Sequence, residues 1–317
     1  MRTIHLSFML CIPLSKEGRV EVINFPWKIG IVSFMAYPNL LKAQGVEEAI
    51  RELVEDPFFD LIELNFLEDE NWNKISKIVS GSGKDFSLAL QPFTNSPMGN
   101  ISSLNEDTRV KAVEEIKKMM SSYFKKGIKT VALSSGSNVP NEKREDALDS
   151  LRRSLIEICR YAEKNNAHVL LETFDTVQDK KLLIGQLEDA EKIVIDVRKE
   201  CKNIGILWDL SHGPFLNEKP RKLAGFKNVL SHIHIGCAKI VNGSLKDWHP
   251  SFYRSGAING VEDLIELFST LEEIGYSGAI SFEVKPEEGQ SSQEVIDVSK
   301  GILHTSFYKY LKKRNTI

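Results

Sequence analysis

Cysteine is sparse and scattered: Cys11, Cys159, Cys201 and Cys237 are the only four, with no Cys-x-x-Cys pair among them. That spacing argues against a disulfide framework or a zinc knuckle and fits a reducing compartment. No run of eighteen apolar residues occurs, so no membrane span is predicted. Basic charge is not in excess either. With 41 Lys and Arg against 44 Asp and Glu, the net charge is -3, and no global field draws in nucleic acid. No Gly-x-Gly-x-x-Gly follows the first predicted barrel strand, which disfavours a dinucleotide-binding fold. The apolar stretch over 4–14 is short, carries His5 and lacks a small-residue cleavage site, so a cytoplasmic chain is expected rather than a secreted one.

The chain is long and apolar enough for one large core: 317 residues, 42% of them hydrophobic. Residues 1–27 read as a short N-terminal hairpin extension, with extended pieces over 3–11 and 19–25 around Ser15-Lys-Glu-Gly18. Such a hairpin could close the amino-terminal mouth of a barrel, though sequence does not place it. From residue 28 an alternation begins. Strands are predicted over 29–34, 58–66, 86–90, 129–133, 168–172, from 204, over 229–235 and over 279–284. Between and after them, helical spacing covers 46–54, 71–79, 106–124, 142–164, 186–201, part of 216–226, 261–274 and 293–310. Eight strand-helix units with strands apolar on both faces predict a parallel sheet, and eight suit a closed α/β TIM barrel, (β/α)8, over 28–317.

In such a barrel the carboxyl ends of the strands share one mouth. Four of them end in groups that carry chemistry: Glu172 on the fifth strand, Asp209 on the sixth, His234 on the seventh and Glu283 on the eighth. Three carboxylates and an imidazole at close range raise one another's pKa values unless a cation joins them. A mixed oxygen and nitrogen shell suits Mn2+, Mg2+, Co2+ or Zn2+. A plainer reading also exists. Glu172 precedes Thr173 and Asp209 precedes Ser211, so both acids could serve local capping or a structural polar network.

The order Glu172, Asp209-x-x-His212, His234 and Glu283 resembles the xylose isomerase-like TIM-barrel superfamily, which includes sugar phosphate isomerases and epimerases, inosose dehydratase and endonuclease IV. The closing run Leu271-Glu-Glu-Ile-Gly-Tyr-Ser-Gly-Ala-Ile-Ser-Phe-Glu283 adds to the likeness. The resemblance implies that Glu172, Asp209, His234 and Glu283 hold one divalent metal ion, with His212 beside them. It also implies a small polyhydroxylated substrate, a sugar, sugar phosphate or cyclitol, and isomerisation or epimerisation by proton transfer through an enediolate, with Glu172 and Glu283 as base and acid. Asp247-Trp-His249 extends the pattern: His212, Asp247 and His249 could form a second metal site, or His249 could bind substrate from a loop. Gln91 and Glu63, at the ends of the third and second strands, are expected to face the same mouth and meet substrate. Trp208 and Trp248 flank the motifs as apolar walls, with a core role favoured for Trp208. Lys239 and Lys285 are either contacts for a phosphate or carboxylate or solvated rim lysines.

The chain departs from the ketose 3-epimerase pattern in two places. Gln178 stands where those enzymes carry a second glutamate, and Ala238-Lys-Ile240 where they carry an arginine. Dehydration on the same site therefore stays open. An endonuclease IV-type hydrolase would need histidines where this chain has Glu63 and Gln91, and a sugar-binding barrel without catalysis would need no metal. A homo-oligomer is compatible with all of these.

Overall fold

A computed structural model of the protein describes residues 10–16 and 19–314. Two antiparallel strands open the chain, β1 (Cys11–Lys16) and β2 (Arg19–Asn24), paired from Cys11 opposite Asn24 to Lys16 opposite Arg19. A hairpin is therefore present, with its first strand at Cys11–Lys16, while most of the extended piece predicted over 3–11 lies outside the described residues. Leu10 and Ile12 join the main hydrophobic core, and Phe25 sets its ring edge-on against Phe268 and Phe307, 5.5 and 5.1 Å away. The hairpin thus packs against the last two helices. No described residue of the hairpin lines the cavity at the amino-terminal mouth.

The barrel strands come next, in order: β3 (Lys28–Val32), β4 (Leu61–Asn65), β5 (Asp85–Ala89), β6 (Thr130–Ser134), β7 (His168–Glu172), β8 (Ile204–Asp209) and β9 (Leu230–Ile235). A small hairpin, β10 (Lys239–Val241) and β11 (Ser244–Lys246), interrupts the series before β12 (Ala279–Phe282) completes it. The eight barrel strands pair in parallel and close as β12-β3-β4-β5-β6-β7-β8-β9. Helices Val46–Glu55, Asp69–Gly81, Glu106–Lys125, Arg144–Glu163, Leu187–Arg198, Val261–Glu273 and Ser292–Arg314 lie between and after them.

The helices form where apolar residues recur every three or four positions, and those faces carry the core. Helix Glu106–Lys125 buries Ala112, Val113, Ile116 and Met120 on one side, and its Asn105 cap accepts from the Thr108 N–H at 3.0 Å. Between β8 and β9 only a helical turn, Gly213–Leu216, and a 3-10 segment, Pro220–Phe226, are present. Gly213, Pro214, Pro220 and Gly225 interrupt the segment and keep a longer helix from forming. The cysteines are free, as their spacing predicts. Among the described residues no helix is long and apolar enough to cross a membrane.

Candidate metal centre and active site

Closing the barrel brings four strand ends onto one point. Glu172 is the last residue of β7, Asp209 the last of β8, His234 the penultimate of β9, and Glu283 comes directly after β12. One ligand atom from each lies within 4.8 Å of all the others. The register explains it: Asp209 pairs with His234, and Ser281 pairs with His234 from the other side, so the eighth strand delivers Glu283 one step above the histidine. Gly236 permits the approach. A Cβ there would stand 2.4 Å from the Glu283 carbonyl oxygen, inside any tolerable contact.

Each of the four side chains is oriented by a second contact. Gln91 Nε2 donates to Glu172 Oε2 at 2.7 Å, which leaves Glu172 Oε1 buried and without a partner. Asp209 accepts from the Ser211 N–H at 2.8 Å and the Ser211 hydroxyl at 2.7 Å. His234 presents Nδ1 to Glu283 Oε2 at 2.8 Å and to Glu172 Oε1 at 3.7 Å, while its Nε2 bonds Glu63 at 3.2 Å. A carboxylate only accepts, so Glu63 fixes the proton on Nε2 and aims the Nδ1 edge at the acids.

The sequence pattern puts Glu63 at the substrate mouth. It lies instead in the middle of β4, 1% exposed, one layer below the ligands, bonded to His232 Nε2 at 2.8 Å as well. Residues two apart on a strand share a face, so the His232-x-His234 spacing already places both rings inside the barrel with one carboxylate between them. Gln91, also read as a substrate contact, is committed on its amide nitrogen to Glu172, and its Oε1 is buried without a partner.

His212, Asp247 and His249 stand beside the four. Asp247 Oδ1 is 3.3 Å from His212 Nε2 and 2.6 Å from His249 Nε2, yet neither pair has hydrogen-bond geometry. His212 Nδ1 donates to the Thr173 carbonyl at 2.8 Å, and His249 Nδ1 donates to the Glu283 carbonyl at 3.1 Å. Both Nε2 edges are thereby turned inward. Asp209, His212 and His249 form a second group whose ligand atoms lie within 4.8 Å of one another. His249 holds a φ of 52°, a left-handed conformation costing roughly 1 kcal/mol, which the bond to Glu283 retains.

The loop after β7, missed in the sequence, covers this side. Asp175, 3% exposed, accepts from the N–H groups of Val177, Gln178, Asp179 and Lys180 at 3.1, 2.5, 2.9 and 2.6 Å. Lys180 then reaches Asp247 Oδ2 at 3.4 Å. An aspartate two residues before a polar run is the sequence signal for such a turn. Trp208 is fully buried, donating to Glu218 Oε2 at 3.1 Å, whereas Trp248 is 43% exposed under the Lys285 ammonium, 4.4 Å from the ring centre. Lys239 pairs with Glu287.

Charge is frustrated among these groups. Burial first, then the Glu283 carboxylate, pushes Glu172 up to about 8. Burial opposes the ionisation of Glu283 too, but His249 and His234 hold it down to about 2. Burial lowers His212 and His249, yet the nearby acids, Asp247 foremost, raise them to about 10 and about 9. His234 is likewise raised well above its usual value, against burial, by Glu63 and Glu283. Protons thus substitute for a cation. The partnerless Glu172 Oε1, His212 Nε2 and Asp247 Oδ1 and this excess of acid both fit a divalent ion.

A closed parallel barrel with an acid-rich mouth of this kind defines the class. The chain matches the family described as Xylose isomerase-like TIM barrel over residues 52–300 and belongs to it. No curated protein matches the chain. Among solved structures, it resembles the IOLI protein with a zinc atom bound, at 21% identity and TM-score 0.68 over 89% of this chain and 99% of that one. It also resembles D-psicose 3-epimerase from Clostridium cellulolyticum H10, solved with D-tagatose, at 17% identity and TM-score 0.65 over 92% and 99%. A third is 3-keto-D-glucoside 4-epimerase from E. coli, at 16% and 0.66 over 88% and 98%.

Proposed function

We propose that the protein is a divalent-metal-dependent isomerase or epimerase of a small sugar, sugar phosphate or cyclitol. The ion would be held by Glu172, Asp209, His234 and Glu283. The observation that carries this reading is the convergence of those four ligand atoms within 4.8 Å, with one carboxylate oxygen buried and unpaired. When bound, a divalent ion supplies positive charge that offsets the acids and polarises a substrate carbonyl. The solved relatives whose titles name sugar epimerases support the substrate class.

The chain's own residues do the rest. Glu283, which His249 and His234 hold ionised, removes a proton from the carbon beside the carbonyl, and the proton ends on a Glu283 oxygen. Glu172, ionised when it holds the ion, takes up a proton from solvent and returns it from its own oxygen, either to the opposite face of the same carbon or to the neighbouring position. Gln91 keeps the Glu172 carboxyl in place during the exchange, and Glu63 keeps the His234 ring from turning. His212 and His249, with their Nε2 edges inward, meet substrate hydroxyls or, with Asp247, hold a second ion. Dehydration is the second reading, favoured by Gln178 in the covering loop where a carboxylate would serve an epimerase.

The test is metal analysis of the purified protein, then a panel of ketoses, sugar phosphates and inososes in D2O, watched for deuterium entering at carbon. Uptake should need the metal and disappear in Glu283→Gln. Uptake that persists in Glu283→Gln, or that ignores chelation, would overturn the assignment.

A further inference from the structure

The end of the barrel opposite the candidate metal centre holds a cavity of about 600 Å3 that none of the chemistry above uses. We propose that this amino-terminal mouth is a second binding site, for the phosphoryl group of a small metabolite. The site stands apart from the assigned reaction and does not depend on it.

Size comes first. Binding cavities run to several hundred Å3, and this one greatly exceeds a bare phosphate ion, so it has room for the organic part of a small phosphate ester. A barrel interior is ordinarily filled by bulky branched side chains. Here Ala132, Leu170 and Leu207 form a small apolar cluster separate from the main core, and the cavity reaches inward as far as Ser87 and His232.

Charge gives the sign of the ligand. Four lysines line the mouth against one acid, Asp85. Asp85 is taken by Lys28 at 2.5 Å, and Lys126 is met by Asp69 from outside at 3.1 Å. Lys84 donates to the carbonyls of Asp56 and Phe59 at 2.8 and 2.5 Å, and Lys129 to the carbonyl of Phe124 at 3.3 Å. Among the described residues neither of these two ammoniums makes an ion pair, so both can serve an incoming anion. Burial, the largest influence on Lys84, lowers its pKa and outweighs the opposing fields of Asp56 and Asp60, as expected for an ammonium short of a direct counter-ion.

A hydroxyl completes the set. Ser87 lines the cavity, is 2% exposed, and its Oγ is buried without a hydrogen-bond partner. A buried donor left unpaired costs about 1–3 kcal/mol, so a partner is expected. Phosphoryl oxygens accept from ammonium and hydroxyl donors alike. His232, 5% exposed, also lines the cavity and joins it to the metal centre above through Glu63.

The experiment uses the full-length, metal-loaded protein. Inorganic phosphate and glycerol 3-phosphate are titrated calorimetrically into wild type, Lys129→Gln and Ser87→Val, and crystals are soaked in selenate for anomalous location. Expected are a selenate peak in the amino-terminal mouth and a loss of phosphate affinity of about tenfold in each variant, with metal content unchanged. Tighter binding of glycerol 3-phosphate than of phosphate identifies an ester as the ligand, and equal binding identifies the free ion. Ser87→Val keeps the test open if Lys129→Gln fails to fold. A peak only at the carboxyl-terminal mouth, affinity unchanged in both variants, or a peak without binding in solution, an adventitious ion only, would each overturn the proposal.

Discussion

Replacing Glu63 by Gln tests how the ligating edge of His234 is set. Glu63 takes the His232 Nε2 proton at 2.8 Å and the His234 Nε2 proton at 3.2 Å, in a site 1% exposed. Gln preserves the shape but trades one acceptor oxygen for an NH2 group that must donate. With the amide oxygen in the place of Oε1 both rings keep an acceptor, but the NH2 then stands 3.3 Å from His234 Nε2 and faces its N–H unless that imidazole changes tautomer. When His234 yields, its proton moves to Nδ1, the edge 2.8 Å from Glu283 and 3.7 Å from Glu172, and that edge can no longer ligate. Loss of such an orienting partner lowers metal affinity about 10–100-fold, or about 1.4–2.7 kcal/mol. The assay is competition of Glu63→Gln and wild type for Mn2+ and Zn2+ against a coloured chelator, with thermal unfolding of both metal-free proteins alongside. Affinity within about twofold of wild type would refute the reasoning, since the orienting effect is at least tenfold. A lower melting point with metal affinity intact would make the cluster a structural polar network.

The other expected outcomes rest on the same geometry. An ion entering the cluster displaces the protons held by Glu172 and His234. Its affinity should therefore rise as pH rises toward about 8, by up to about tenfold per unit for each proton released; calorimetry in buffers of different ionisation enthalpy counts them, and a flat profile would contradict the displacement. Without metal, His212 and His249 have folded pKa values of about 10 and about 9, above their ordinary 6.5. Their stabilisation is complete below pH 6.5 and is lost as pH climbs through 9 to 10, so the melting temperature of chelated protein should fall over that window and recover with metal. Gly236→Ala places a Cβ 2.4 Å from the Glu283 carbonyl and should destabilise by about 1–3 kcal/mol in denaturant unfolding while weakening metal binding; wild-type behaviour would mean the strands move apart freely. Gln91→Leu removes the donor to Glu172 Oε2 and should lower kcat more than it raises KM; a change in KM alone would assign Gln91 to substrate instead.

The barrel is legible in the sequence because its strands are short, apolar and punctuated. The segment 168–172 is predicted and observed with the same bounds, since Asn166 before it and the charged end after it leave no alternative. The convergence of the four strand ends is legible for the same reason: each acid closes an apolar run. The hairpin β10–β11 escapes notice although Asn242-Gly243, both at positive φ, sits between Val241 and Ser244, a strong turn signal eclipsed by the helix-strand rhythm around it. Glu63 lies one layer from its expected place. A strand end cannot be fixed to the residue from hydrophobicity alone, and its partners lie 169 and 171 residues away in sequence.

Asp209 shows why the capping reading and the metal reading are not rivals. The nearby Ser211 does what capping requires, giving its N–H to one carboxylate oxygen and its hydroxyl to the other. An ionised carboxylate has about four acceptor positions, so each oxygen retains one after those bonds. The turn therefore pins the carboxylate plane without exhausting it, and Oδ2 still lies 3.7 Å from His212 Nε2 and 3.9 Å from His249 Nδ1. A group used only for capping would have no reason to be fully buried against two imidazoles, where burial raises its pKa. Ser211→Ala separates the two roles: it removes the hydroxyl bond and leaves the N–H bond, so it should cost about 1 kcal/mol of stability and also weaken metal affinity. Loss of stability with metal affinity intact would return Asp209 to a capping role alone.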